Sequence, residues 1–133
     1  MKTTARVVII GGGVVGCSVL YHLTKKGWSD VMLLERDQLT SGSTWHAAGG
    51  FHTLNGDPNV AMLQSYTVSL YEELERISGQ SCGLHKSPGI MLADTPERME
   101  FLKMTVARGR YLGMETEIIS IKEALNYFPF IEE

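Results

Sequence analysis

The chain has 133 residues, room for one ordinary domain and too few for two of usual size. Hydrophobic residues at 44% and charged residues at 20% exclude a disordered or low-complexity chain, which could not bury enough apolar surface to offset its entropy. Twelve Lys and Arg against 15 Asp and Glu give a formal charge of −3, so no basic footprint exists for a nucleic-acid backbone.

From the N-terminus, Lys2 and Arg6 ahead of the apolar stretch Val7–Leu20 imitate a secretion signal, and Val15-Gly16-Cys17 imitates a lipoprotein cleavage site. Three consecutive glycines inside that stretch argue against a signal helix, each costing about 1 kcal/mol relative to alanine. The residues Ala5–Ile10 instead read as a strand buried on both faces, β-branched and ending abruptly at glycine. Val14–Lys26 reads as a helix with an apolar stripe at Val15, Val19 and Leu23, closed by Gly27. Val31–Leu34 is a second buried strand, ending in Glu35-Arg36. Strand, glycine turn, helix and strand within about 30 residues make a βαβ unit with a right-handed crossover.

A loop without periodicity follows from Asp37 to Pro58, rich in Ser, Thr and Gly and longer than ordinary connections, as functional loops often are. Val60–Ile77 is expected to be a helix, with Met62, Tyr66, Leu70 and Leu74 on one face. Leu84–Ala93 is expected as a strand or hairpin arm broken at Pro88-Gly89. Thr95-Pro96 opens a helix that runs to Tyr111 and closes at Gly113. Thr116–Ile119 is expected as a strand, and Ser120-Ile-Lys-Glu123 is a capping box for a last short helix stopped by Pro129.

No apolar run reaches the roughly 18 residues of a membrane span, so no membrane partner is expected. Cys17 and Cys82 form neither a disulfide framework nor a metal spacing. A doubly wound sheet has five or six strands, more than this inventory supplies. The expected class is therefore α/β, the N-terminal part of a Rossmann-like dinucleotide-binding domain within a larger protein. Residues 1–80 would hold the βαβ unit, its loop and the following helix. Residues 81–133 would start a substrate region with the first elements of a mixed sheet.

The glycines concentrate in two clusters, Gly11–Gly16 and Gly42–Gly50. Gly11-Gly12-Gly13-Val14-Val15-Gly16 satisfies GxGxxG between a strand and a helix. Gly11 permits the tight turn, Gly13 the approach of a pyrophosphate, and Gly16 close helix–strand packing, with the helix N-terminus facing the phosphates. Glu35, 22 residues after Gly13, stands where a carboxylate accepts from a ribose diol. Gly12 reads only as a flexible third glycine, and Cys17 as a small core residue. The fingerprint leaves the dinucleotide open.

The second cluster narrows it. Glu35-Arg36 followed by Leu39-Thr40-Ser41-Gly42-Ser43-Thr44-Trp45-His46-Ala47-Ala48-Gly49 closely resembles the sarcosine and dimethylglycine dehydrogenases, members of the glycine-oxidase/D-amino-acid-oxidase-like flavoproteins. The resemblance extends more loosely from Val7 to about Phe128. It implies FAD, carried covalently through its 8α-methyl group by the histidine of this string, here His46. By the same resemblance Val14, Val15, Glu35, Arg36, Gly42, Ser43, Thr44, Trp45, Ala47, Ala48, Gly49 and Gly50 line the cofactor. Gly50 departs from the family, where an aliphatic residue is expected.

The resemblance further implies oxidation of a small N-methyl amine such as sarcosine or dimethylglycine, with electrons passed to an electron-transfer flavoprotein. It also implies a tetrahydrofolate site in a C-terminal region that these residues do not contain. No paired carboxylates or other acid/base set is visible, so catalytic residues are not assigned. His22 lies inside a predicted helix and His85 near a Pro-Gly turn; His52, close to the loop, could contact the ring. Trp45 is expected to pack in an interdomain seam. A regulatory subunit retaining the fold, or an NAD-linked dehydrogenase, are the alternatives. With no Arg/Ser-rich presequence ahead of the first strand, the default location is cytoplasmic, or the mitochondrial matrix for an animal relative.

Overall fold

A computed structural model describes residues 3–132, so Lys2 of the signal-like pattern lies outside the described residues. The elements in order are β1 (Val7–Ile10), α1 (Val14–Lys25), β2 (Val31–Leu34), α2 (Pro58–Ser78), α3 (Pro96–Tyr111) and α4 (Ile121–Tyr127). The chain divides into two compact units, Met1–Gly49 and Gly50–Glu133.

The first unit is the βαβ motif and its loop. β1 and β2 pair in parallel with Val7 opposite Val31 and Ile10 opposite Leu34. The ladder runs one residue further, because Gly11 N–H donates to the Leu34 carbonyl across 2.8 Å. Helix α1 packs on both strands. Its C-cap is Lys26, with Gly27 following at a φ of 84°, a left-handed conformation natural to glycine.

The strands are not buried on both faces, as their composition predicts. Val8 is 47% exposed, Ile10 88% and Leu34 48%, all on the side opposite α1. A parallel sheet hides its apolar residues only where helices cover both faces, and here one helix covers one face.

The second unit is helical, and its helix starts follow the capping chemistry. Asp57 accepts from Asn59 N–H at 2.8 Å and Val60 N–H at 3.1 Å, with Pro58 at the first helical position. That cap starts α2 two residues ahead of the apolar pattern at Val60. Thr95 caps α3 through Arg98 N–H at 3.1 Å. Ser120 and Glu123 form the expected capping box for α4. Among the described residues, Ala61 and Ala124 are the buried hydrophobic ones.

Two expected strands do not form. Leu84–Ala93 and Thr116–Ile119 form no strand ladder. Thr116 turns to α3 instead: its hydroxyl donates to the Val106 carbonyl at 3.1 Å, and its own carbonyl accepts from Arg110 Nε at 3.1 Å. The second of those bonds engages a backbone carbonyl that a neighbouring strand would use. Among the described residues no helix is long and apolar enough to cross a membrane.

Candidate FAD-binding site

The glycine turn between β1 and α1 lies within the first unit. Gly11 has a φ of 105°, which an L side chain rarely adopts, and so makes the turn out of β1. An ideal Cβ on Gly16 would lie 1.9 Å from the Gly11 carbonyl oxygen, so the helix packs on the turn only with glycine there. Gly13 is the N-cap of α1 and offers no side-chain cap. The first-turn N–H groups of Val15 and Gly16 have no intrahelical acceptor by construction, and they carry the positive end of the helix dipole.

Glu35 acts differently from the simple ribose acceptor predicted for it. Its Oε2 accepts from Gly12 N–H at 2.6 Å, and its Oε1 from Arg36 N–H at 2.7 Å and Asp37 N–H at 3.0 Å. The Gly12 bond, then those of Asp37 and Arg36, hold the carboxyl below its ordinary pKa, with the Arg36 charge assisting. An ionised carboxylate has about four acceptor directions, so one remains for a diol while the others brace the glycine turn.

Gly12 is more than a spare glycine. A Cβ there would meet Leu39 Cδ2 at 2.5 Å and Glu35 Cβ at 3.1 Å. Its carbonyl also accepts from Thr40 N–H at 3.0 Å and from Cys17 Sγ at 3.5 Å. Cys17 is half-buried. Sequence reasoning passed over Leu39 and Thr40 as contacts. A run of three glycines was the available signal for the first. Nothing in the sequence announced that Thr40 sits at a φ of 68°, a left-handed conformation costly for a β-branched residue.

The second glycine cluster forms a tight turn beside the cradle. Trp45 N–H donates to the carbonyls of Thr40 at 3.0 Å and Gly42 at 3.2 Å, and His46 N–H donates to Ser43 at 3.2 Å. His46 Nδ1 lies 2.9 Å from the Gly42 carbonyl oxygen. A carbonyl can only accept, so Nδ1 bears a proton in this contact, and in the neutral imidazole the lone pair is then on Nε2. Val14 N–H donates to Thr44 Oγ1 at 2.9 Å.

Ser43, Ala47, Ala48 and Gly49 are exposed on this loop, and Gly42 faces open space. Trp45 is 78% exposed on this loop. Gly50 opens the second unit, with open space where its Cβ would be. In that unit His52 Nε2 lies 3.3 Å from Gln64 Nε2. His22, inside α1, has its Nδ1 2.7 Å from the Ser18 carbonyl oxygen.

These features fit a flavin dinucleotide. A glycine turn leads into a helix N-terminus, as a pyrophosphate would need, and a histidine held through Nδ1 stands on the adjoining turn. Comparison with known proteins agrees. The family model described as FAD dependent oxidoreductase matches residues 6–133. The mitochondrial dimethylglycine dehydrogenase of Rattus norvegicus is 42% identical over 130 residues, covering 98% of this chain and 15% of that protein. The mitochondrial sarcosine dehydrogenase of Homo sapiens is 37% identical over 132 residues, 98% of this chain and 14% of that one. A mitochondrial pyruvate dehydrogenase phosphatase regulatory subunit from Mus musculus is 39% identical over 131 residues, again 98% against 15%. The chain thus spans about one seventh of the length of these relatives. Among solved structures, L-proline dehydrogenase from P. horikoshii superposes with a TM-score of 0.85 at 24% identity, over 97% of this chain and 34% of that one. This likeness shows the fold, the N-terminal part of a Rossmann-like FAD-binding domain. With the family model spanning nearly its whole length, the chain belongs to the FAD-dependent oxidoreductases.

Proposed function

We propose that this chain is the flavin-holding part of a dehydrogenase or oxidase acting on a small N-methyl amino acid, of the dimethylglycine or sarcosine kind. The observation that carries the reading is His46, held by Gly42 at 2.9 Å on a turn joined to the N-terminus of α1. Its support from outside is identity with dimethylglycine and sarcosine dehydrogenases across 98% of the chain. When bound, FAD supplies the two-electron chemistry, taking a hydride equivalent from the N-methyl carbon.

The chain's own residues bind and orient. Gly11, Gly13 and Gly16 with the N–H groups of Val15 and Gly16 would hold the pyrophosphate. Glu35 would present its remaining lone pair to the ribose while keeping the turn in place, with Arg36 alongside. Gly42 to Gly50 would line the flavin, and His46 would hold it covalently through Nε2, the nitrogen its hydrogen bond leaves free. In this division residues 1–80 serve the flavin and 81–133 begin the substrate region.

An electron-transfer flavoprotein as acceptor and a tetrahydrofolate site elsewhere in the protein complete the proposal. The rat and human relatives are mitochondrial, which supports the matrix for an animal source; the cytoplasm is the proposal otherwise.

The test is a visible spectrum of the natural full-length protein before and after acid denaturation. Yellow colour that stays with the polypeptide, is bleached by sarcosine or dimethylglycine, and is absent from His46→Ala is the expected result. Colour released by acid from the wild type would overturn the covalent role. The regulatory-subunit relative supports a second reading, which a bound flavin unreduced by any N-methyl amine would select. Membership of the FAD family sets aside the nicotinamide alternative.

A further inference from the structure

The turn that carries His46 hangs on the first peptide of α1. Val14 N–H donates to Thr44 Oγ1 across 2.9 Å, joining residues 30 apart in sequence. Glycine at the N-cap favours the approach, since a Cβ on Gly13 would stand 3.0 Å from that oxygen, closer than ordinary contact. From Gly42 to Ala47 the backbone forms successive short hydrogen-bonded turns: Trp45 N–H to Gly42, His46 N–H to Ser43, and Ala47 N–H to Thr44 at 3.4 Å. The imidazole is fastened to the same segment through Gly42. Thr44 and the His46 ring therefore form one local body. The loop is also fastened where Thr40 N–H meets the Gly12 carbonyl, and Trp45 N–H bonds the Thr40 carbonyl in turn; the Thr44 hydroxyl is the side-chain tie to α1 itself.

We infer that Thr44 is the positioning residue for flavin attachment at His46. Its hydroxyl ties the phosphate-holding end of α1 to the imidazole, so a dinucleotide anchored at the helix meets Nε2 in a fixed register. The inference rests on the reading of His46 as the attachment point. In the attachment an Nε2–carbon bond forms and a C–H bond of the ring methyl breaks. The proton leaves to solvent, the electron pair passes into the flavin, and dioxygen reoxidises it by two electrons. Thr44 touches none of these atoms. Its contribution is to remove a search, converting a loosely tethered pair into one of defined separation.

A mere capping role predicts something different. A residue that only stabilised α1, or only strengthened FAD binding, would change affinity and linkage in proportion. A positioning residue changes linkage more than binding.

The experiment uses the natural full-length protein prepared free of flavin. FAD is added, noncovalent affinity is read from flavin fluorescence, and the linked fraction is read from acid-precipitated protein and intact mass over time. Thr44→Val removes the acceptor at nearly the same volume, and Thr44→Ser restores it. Loss of one hydrogen bond should slow linkage about five- to tenfold in the valine variant. Affinity should fall by a clearly smaller factor than the linkage rate, since Thr44 is one of several residues along the cofactor, and the serine variant should link at close to the wild-type rate.

Linkage at the wild-type rate in Thr44→Val would overturn the inference. So would parallel losses of affinity and linkage, or a serine variant as slow as the valine one. Failure of the underlying reading is separately visible. It appears as wild-type protein that gains no mass, or as His46→Ala protein that gains as much as wild type.

Discussion

The backbone N–H of Gly12 donates to Glu35 Oε2 across 2.6 Å, tying the middle of the glycine turn to the end of β2. The carboxylate bonds Arg36 N–H and Asp37 N–H through its other oxygen. Glu35→Gln keeps the volume but turns one oxygen into an amide donor that faces N–H groups. It is expected to weaken FAD binding about tenfold. Glu35→Asp, one methylene shorter, should lose the Gly12 bond and fall between the two. Fluorescence titration of the flavin-free proteins measures both.

The same contact fixes a pH response. The folded-state pKa of Glu35 is lowered, chiefly by the Gly12 bond. Its contribution to stability is therefore complete above the ordinary carboxylate range and is lost as pH falls through the lowered value. Glu75, lowered first by Cys82 N–H, and Glu123, lowered first by Ser120 N–H, act in the same direction. The thermal midpoint is expected to be flat near neutrality and to fall on acidification. Glu35→Gln should lower the neutral midpoint and reduce the steepness of the acid limb; an unchanged acid limb would argue against this assignment.

Two glycines of the turn should respond differently to a single added methyl. Gly12→Ala meets the tip of a side chain, Leu39 Cδ2 at 2.5 Å, whereas Gly16→Ala meets a backbone carbonyl at 1.9 Å. Overpacking of the first kind costs about 1–3 kcal/mol and is relieved when the neighbour yields. Leu39→Ala should thus recover most of the loss in Gly12→Ala, read as denaturant midpoint, and recover nothing in Gly16→Ala.

The start of α2 offers a test free of the cofactor. Asp57 satisfies Asn59 and Val60 N–H groups with Pro58 behind it. Asp57→Ala is expected to destabilise the protein by about 1 kcal/mol, and Asp57→Ser by less. Urea unfolding followed by circular dichroism measures the difference, and equal midpoints for all three proteins would refute the cap.

What could be read from the residues was whatever local chemistry decides. Caps at Thr95 and Ser120 and the glycine after Lys26 each act within a turn, so those helix limits followed from short stretches of sequence, whereas the equally local Asp57 cap was passed over and α2 starts two residues before the expected Val60. The pairing of Val7–Ile10 with Val31–Leu34 was legible because both runs are β-branched or aliphatic and a helical stripe separates them. Thr116 was misjudged because its β-branched neighbours favour a strand, while its partner groups on α3 lie outside any local window. Glu35 was recognised as an acid at the right spacing, yet its bracing of Gly12 depends on geometry that spacing cannot encode. The left-handed Thr40 and its bond to Gly12 were illegible for the same reason.

The uncovered side of β1 and β2 bears on how these residues behave in solution. Val8, Ile10 and Leu34 place an aliphatic strip on a sheet of two strands, and Ile10 offers 88% of its surface. Water contact over such a strip is unfavourable by about 25 cal/mol per Å², and strand edges without neighbours act as templates for other chains. A fragment limited to these residues should therefore self-associate on concentration, and lysine at Ile10 should keep it dispersed. Light scattering against protein concentration would register that difference before any flavin is added.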